Sequence, residues 1–385
     1  MEKEVRKIAM IGQKRSPSRE GGVEVVVTQL SIRMAKRGYH LDLYNRWGYH
    51  VSGRSFTDES GVTYPEIRTL KIPTFRNGKL NAIVYTVLGT IRSLFGGYDV
   101  IHYHAEGPCI MLWLPKILGI RVVATIHGLD WQRAKWGNFA SKVLKAGEKV
   151  AAKYADEVIV LSKNVQEYFK TTYGRSTHYI PNGIEKPVLR DVEQIREKWG
   201  LEKEGYILFL ARIVPEKGLH YLIEAYDQVN TDKKLVIAGG SSNAMEYMEE
   251  IRKMAAGNPN IIMTNFVQGE VLGELLSNAY LFVQPSDIEG MSISLLEAMS
   301  YGNCCLVSDI DENLEVVEDK AVSFRKGDVQ DLAEKLDMLL EDEGQVKAFK
   351  DNASDFITGK YNWEEVVDAT LELYKKHEKI HGGIL

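Results

Sequence analysis

The chain has 385 residues, with 48 Lys and Arg against 53 Asp and Glu and a net charge of −5. At 44% hydrophobic and 26% charged residues, the composition excludes a disordered chain, a collagen-like repeat and an integral membrane protein. The length predicts two domains of roughly 100–200 residues each. The 3 cysteines, Cys109 and the adjacent Cys304 and Cys305, form no CxxC pattern, which excludes a disulfide framework and argues against structural zinc.

Short apolar runs alternate with amphipathic stretches from end to end. Lys7–Gly12 reads as a buried strand, Glu24–Arg37 as a helix ended by Gly38, and His40–Asn45 as the next strand. Asp99–Ala105, Arg121–His127 and Glu157–Ser162 continue the series. The pattern restarts after residue 187, with strands at Tyr206–Ile213, Lys234–Gly239, Ile261–Val267, Tyr280–Pro285 and Cys304–Ser308 and a helix at Gly218–Val229. Between the two series, residues 180–189 (IPNGIEKPVL) carry the Pro and Asn-Gly punctuation of a linker. Uniformly apolar strands alternating with helices predict parallel sheets covered on both faces. The expected fold is therefore α/β, with two doubly wound, Rossmann-like domains at residues 1–187 and 188–362. Ligands are expected in the cleft, outside the carboxyl ends of the strands. A last helix, from Trp363 to about Lys379, puts Trp363, Val366, Val367, Thr370, Leu371 and Tyr374 on one face. Periodicity leaves open whether it caps the second domain or crosses back onto the first.

The net charge conceals an asymmetry. Residues 1–187 hold 28 basic and 16 acidic side chains, and residues 188–385 hold 20 basic and 37 acidic. A basic half predicts that the first domain faces something anionic. No apolar run approaches the roughly 18 residues of a membrane span. The apolar stretch at the N-terminus is shorter than a signal-peptide core of about 7–15 residues. The expected location is cytoplasmic, with peripheral contact at the inner membrane face.

Several loops carry candidate chemistry. Gly21-Gly22 stands at a strand–loop–helix junction, where backbone N–H groups approach an anion. Arg212 and Lys217, in ARIVPEKG, lie just past a buried strand, where two cations suit a pyrophosphate. In the segment at residues 283–302, Glu289 precedes a helix expected to start near Ser292, whose first N–H groups, on Met291, Ser292 and Ile293, suit phosphate. Glu297 lies among apolar neighbours and needs a partner; a ribose diol is one candidate. His127 closes a strand, with Asp130 in the same loop, and both are candidates for sugar contacts and proton handling. Trp131, Arg133, Lys135 and Trp136 form an aromatic–basic cluster suited to a sugar or a lipid headgroup, or to loop packing. His102 and His104 share one face of a strand, but no carboxylate or Cys pattern completes a metal site.

Taken together, these segments resemble the retaining glycosyltransferases of family 4, which have the GT-B fold. The resemblance rests on Gly21-Gly22, on Arg212 and Lys217, on the Glu-x7-Glu pattern of Glu289 and Glu297, on IPNGI at residues 180–184, and on the closing YNWEEVVDATLELY. It implies that Gly22 donates to the donor diphosphate, that Arg212 and Lys217 neutralise that diphosphate as it leaves, and that Glu297 binds the donor ribose. It further implies Glu289 on the donor sugar, N–H groups of Ser292 and Ile293 on sugar or phosphate, and the base near Phe266 and Val267. His127 matches the family's active-site histidine, with Asp130 a weaker match, and the C-terminal helix, residues 363–385, is implied to pack on the first domain. No cofactor and no metal are implied beyond a nucleotide-sugar donor, with UDP, GDP and dTDP all open. SREGGVE and HGLDWQRAKWG look most like bacterial transferases of capsular or exopolysaccharide synthesis, some of them rhamnosyltransferases. KRSPSRE is less glycine-rich than the family's phosphate loops and is a candidate to order over the acceptor instead. The expected activity is retaining transfer to a glycan or lipid-linked acceptor in cell-surface polysaccharide synthesis, with no nucleic-acid partner. The alternatives are a GT-B sugar-nucleotide epimerase or hydrolase, a relative of the sucrose synthases with a soluble acceptor, and a non-catalytic nucleotide-sugar-binding subunit.

Overall fold

The computed structural model describes residues 6–47, 55–57, 62–74, 78–132, 138–240 and 244–375. One sheet contains β1 (Lys7–Ile11), β2 (His40–Arg46), β3 (Ser55–Thr57), β4 (Thr63–Ile72), β5 (Val100–His104), β6 (Arg121–Ile126), β7 (Glu157–Val160) and β8 (His178–Tyr179). Their order is β3-β4-β2-β1-β5-β6-β7-β8, and every neighbouring pair is parallel except β3 with β4. A second sheet contains β9 (Tyr206–Leu210), β10 (Lys234–Ala238), β11 (Ile261–Asn265), β12 (Leu281–Gln284), β13 (Cys304–Ser308) and β14 (Val322–Phe324). It is parallel throughout, in the order β11-β10-β9-β12-β13-β14.

Burial on both faces explains the uniformly apolar strands. In β1, Ile8 and Met10 enter one core cluster, while Ala9 and Ile11 enter the cluster on the opposite face. In β9, Ile207 and Phe209 point to one side and Tyr206 and Leu208 to the other. β4, next to the edge strand β3, differs: TYPEIRTLKI mixes buried and exposed positions because little covers its outer face. A search for uniformly apolar runs passes over such a strand, and over the short β14.

Several strands end one to three residues before their apolar runs do. β9 stops at Leu210 and β11 at Asn265, so Arg212, Phe266 and Val267 belong to loops. The first helix begins at Gly22 instead of Glu24.

The order of each sheet creates a switch point. Chain connections leave β1 and β5 in opposite directions in the first sheet, and β9 and β12 do the same in the second. At such a point the flanking loops diverge and leave a crevice. The loop after β9 and the loop after β12 are held together there. Asp287 N–H donates to the Glu216 carbonyl at 3.0 Å. Gly218, at φ +65°, lies so close to the Pro285 carbonyl that a β-carbon would overlap it.

The C-terminal helix, Trp363–Tyr374, buries Trp363, Val366, Val367, Leu371 and Tyr374 in the same cluster as Ile8, Met10 and Val27 of the first domain. Arg33 Nε lies 3.1 Å from the Glu364 carboxylate, and Arg121 Nε donates to the Leu373 carbonyl at 3.0 Å. The linker runs beside this crossing, with Ile184 paired in parallel to Asn362. Two chain crossings therefore join the domains side by side. The described part of the helix stops short of residues 376–385, so Lys379 falls outside the described residues.

Candidate active site

The second domain brings its candidate residues to the β9/β12 crevice. Arg212 follows β9, half-buried. Lys217 forms an ion pair with Glu289, whose Oε1 also accepts the Ser286 hydroxyl at 2.7 Å. Both partners are largely buried, with 14% and 6% of their side chains exposed. A buried pair of this kind holds each charge in place, at the cost of desolvating both. Ser292 is the N-cap of the helix Ile293–Ser300: its hydroxyl accepts the Leu295 N–H at 3.3 Å and donates to Gln284 Oε1 at 2.6 Å. The helix thus begins one residue later than expected from the sequence. The N–H groups of Met291, Ser292 and Ile293 meet no acceptor among the described residues and remain open to an anion.

Glu297, on the second turn of that helix, meets its partner from across the cleft: it pairs with Arg19 of the loop after β1. The apolar surroundings that make this carboxylate need a counter-charge are met in this way. Phe266, 48% exposed, stands at the end of β11 beside Gly240, with Val267 half-buried behind it.

On the first domain, Gly21 is the N-cap of the helix Gly22–Lys36, with no side chain capping it. The Glu24 carboxylate folds back over this turn: its Oε1 accepts the Lys14 N–H at 2.9 Å, and a β-carbon at Gly21 would meet it. Gly22 is exposed and faces Ile293 of the other domain. His127 begins the loop after β6. Its Nε2 lies 3.1 Å from His104 Nδ1. His104 stacks on His102 at 4.1 Å between ring centroids. Both nitrogens of His102 are engaged, with Tyr374 Oη and Thr125 Oγ1, each at 2.7 Å. Burial, reinforced by the neighbouring imidazoles, pushes His102 down to about 3 and His104 well below its ordinary value. Both rings are therefore neutral at pH 7, and together they form a fixed column behind His127. Among the described residues, no three His, Cys, Asp or Glu side chains gather as metal ligands.

The two rims touch. Gly290 lies against the His127 carbonyl so closely that a β-carbon on it would overlap the oxygen. A β-carbon on Gly128 would lie 3.0 Å from Gly290 Cα. Asn182 of the linker fixes the same loop: its N–H meets Met291 Sδ at 3.0 Å and its Nδ2 donates to the Met291 carbonyl at 3.3 Å. Met291 is accordingly buried, in the core cluster that contains Leu295 and Leu296.

Asp130 and Trp131 open a short turn, Asp130–Gln132. The Trp131 indole is used for packing: Nε1 donates to Glu148 at 3.1 Å, and Lys145 Nζ stands 3.8 Å from the ring centroid. Arg133, like Lys135 and Trp136, lies outside the described residues. Sequence reasoning missed His104 as the support of His127, Asn182 as the latch on Met291, Arg19 as the partner of Glu297, and the acids beneath the Asp130 turn. The i, i+2 spacing of His102 and His104 and the PNG of the linker were the available signals.

Two α/β domains with facing switch points, touching across a cleft rimmed by cations and open N–H groups, define the GT-B class of glycosyltransferase. Residues 191–356 match the family model for glycosyl transferases group 1, and residues 20–186 match that for glycosyltransferase family 4. The chain belongs to this family and is a glycosyltransferase. It is similar to the alpha-maltose-1-phosphate synthase of Mycolicibacterium smegmatis, 25% identical over 96% of this chain and 99% of that protein. In fold it is similar to the sucrose-phosphate synthase of Thermosynechococcus elongatus, with a TM-score of 0.82 and 22% identity over 96% of this chain and 98% of that one. It also matches Anabaena HepE in complex with UDP-glucose, with a TM-score of 0.76 and 17% identity over 96% of this chain and 100% of that one.

The acids beneath the Asp130 turn yield a pH prediction. Glu148 is fully buried and accepts from Trp131 Nε1, from Tyr168 Oη at 2.8 Å and from Tyr173 Oη. Glu106, equally buried, lies beside it. Burial first, then the Asp130 charge and the neighbouring Glu148 carboxylate, pushes Glu106 well above the ordinary carboxyl range. The folded protein therefore keeps a proton that the unfolded chain releases above a carboxyl pKa of about 4.3. The contribution of this group to stability is complete below that pH and declines as pH rises, by up to about 1.4 kcal/mol per pH unit. Glu106→Gln removes the decline. Its stability relative to the native protein, from urea midpoints, rises between pH 5 and pH 8; a pH-independent difference would contradict a protonated Glu106.

Proposed function

We propose that the enzyme transfers a sugar from a nucleoside-diphosphate donor to a glycan or lipid-linked acceptor, keeping the donor's anomeric configuration, in cell-surface polysaccharide synthesis. The observation that carries this reading is the meeting of Arg212, the Lys217–Glu289 pair and the open N–H groups of residues 291–293 at one crevice, facing Gly22 and His127. In this reading the donor diphosphate lies on Arg212, Lys217 and those N–H groups, with Gly22 donating from the opposite rim. The anomeric carbon–oxygen bond breaks with oxocarbenium character, and the cations hold the charge that appears on the departing phosphate. That phosphate accepts the acceptor hydroxyl's proton, and the acceptor oxygen bonds to the anomeric carbon on the face the diphosphate left. Glu289 holds donor-sugar hydroxyls and Glu297, once released by Arg19, the ribose; the base rests on Phe266 and Val267. His127 contacts the donor sugar from a ring fixed by its neutral neighbours, with Asp130 on the acceptor side. The complex of HepE with UDP-glucose supports a nucleotide-sugar donor for this fold. No residue is assigned to a metal or cofactor. Closure of the contact between Gly290 and His127 excludes water, which favours transfer over hydrolysis.

The donor is found by thermal shift with UDP, GDP and dTDP sugars, since a ligand at 100 times its Kd adds about 2.7 kcal/mol. With that donor, Arg212→Ala and Lys217→Ala each lower kcat about 100- to 1,000-fold, read as nucleoside diphosphate released on acceptor addition. Undiminished turnover in both variants would remove the reading. Turnover that does not depend on any acceptor would favour the hydrolase or epimerase alternative.

A membrane-bound acceptor has its own support. Ile83, Leu88 and Ile91 of the helix Gly78–Ser93 are more than two-fifths exposed, and Phe95 just beyond it is 85% exposed. Trp113, Ile117 and Leu118 are exposed on a neighbouring segment packed on the same core. Arg92 lies within the first of these runs and Lys116, paired with Asp156, within the second. We assign this face to an anionic bilayer, where each nearby Lys or Arg contributes about 1 kcal/mol. The protein co-sediments with phosphatidylglycerol vesicles at low salt, and Phe95→Ser/Ile91→Ser releases it. Binding indifferent to anionic lipid and to that variant would rule the assignment out.

A further inference from the structure

Lys14 and Arg46 have no part in the reading above, yet both are built into the cleft with care. Lys14 follows the buried Gln13 in the loop after β1, and Arg46 ends β2. The Arg46 N–H donates to the Lys14 carbonyl at 2.8 Å. Beside them the Ser16 N–H donates to Asn45 Oδ1 at 3.0 Å, and Asn45 Nδ2 donates to the Ser16 carbonyl at 2.8 Å. Ser16 and Asn45 are both buried. The loop is thus bolted to the end of β2, and the two cations leave a rigid ledge. The Arg46 guanidinium lies over the Tyr85 ring, 5.0 Å from its centroid. Tyr85 is itself fixed, donating to the Tyr44 carbonyl at 2.6 Å and accepting the Gly12 N–H at 2.9 Å. Arg46 Nε is buried and meets no acceptor among the described residues.

Charge in this place is unbalanced. The two arginines of the loop after β1 are paired, Arg15 with Glu20 and Arg19 with Glu297. Lys14, Arg46 and the facing Arg212 form no ion pair among the described residues. Burial lowers the Lys14 ammonium, Glu24 pulls it back up, and Arg212, Arg46 and Arg15 press it down again. Among the groups that act on Lys14, Glu24 is the one carboxylate, and its Oε1 is already engaged by the Lys14 N–H. An anionic ligand relieves such repulsion, and a guanidinium beside an ammonium on a fixed ledge suits the several oxygens of a phosphoryl group.

We propose that Lys14 and Arg46, with Arg212 opposite, form a seat for a phosphoryl group, separate from the contact made by Lys217 and the N–H groups of residues 291–293. The phosphoryl group comes from one of two sources: a phosphorylated acceptor bound beside the donor, or the donor's own diphosphate reaching across the cleft. The inference rests on the donor reading only in sharing Arg212.

The test is equilibrium dialysis with radiolabelled inorganic phosphate, on the free protein and on protein saturated with UDP or whichever nucleoside diphosphate binds. Lys14→Met and Arg46→Met, each checked for a native melting transition, weaken phosphate binding to the free protein by about 10-fold or more, the loss expected for a charged hydrogen bond. Lys14→Arg, which keeps the charge, restores most of the binding should the Met variants fold poorly. Phosphate that still binds the nucleotide-saturated protein assigns the seat to the acceptor; phosphate displaced by nucleotide assigns it to the donor. Binding unchanged by both substitutions, or absent from the native protein, overturns the proposal. If no nucleoside diphosphate binds while phosphate binding depends on Lys14, the donor reading fails and the seat stands.

Discussion

The close approach of two backbones, at His127–Gly128 and Glu289–Gly290, sets the spacing on which every other part of the cleft depends. Neither strand order nor charge alone fixes the distance between two domains joined by a linker. Here a carbonyl oxygen packs where a side chain at residue 290 would be, so the rims approach to backbone contact. Asn182 holds the same loop from the linker side, and the C-terminal helix holds the linker against the first domain. Reacting groups on opposite domains need to be placed to within about 1 Å, and this contact is where such placement originates.

Around that contact, charge is arranged as pairs that a ligand can exchange. Lys217 is paired with Glu289 and Arg19 with Glu297, so two carboxylates and two cations at the crevice already satisfy one another. In the proposed reading, a bound diphosphate would offer the cations another partner and leave the carboxylates to hydroxyl groups. At these two pairs the cleft avoids buried, unpaired charge. Behind the first rim the opposite strategy is used: His102 and His104 are buried and neutral, and support the site through shape and hydrogen bonding.

Much of this was legible in the residues because parallel strands buried on both faces leave uniformly apolar runs, and KIAMI, RVVATI and CCLVS each became a strand. The Glu-x7-Glu segment was legible because a carboxylate among Leu295, Leu296, Ala298 and Met299 demands a partner. That the partner is Arg19, nearly three hundred positions away, was not legible, since nothing in the spacing of either residue encodes the approach of two domains. For the same reason Glu289 and Lys217 read as separate ligands, although they form one ion pair. Trp131 read equally as a stacking surface or as loop packing, because a sequence cannot show that Glu148 takes its indole N–H. Local periodicity reports what faces a core; it carries little about which loop tips meet across a cleft.

The most direct measurement of the central claim is the effect of Gly290→Ala on transfer and on nucleotide binding taken separately. The account predicts that the added methyl, which has no room beside the His127 carbonyl, lowers kcat about 100-fold through a displacement on the order of 1 Å while leaving nucleoside-diphosphate affinity close to native. Turnover near the native rate would show that the backbone contact does not set the geometry of the site.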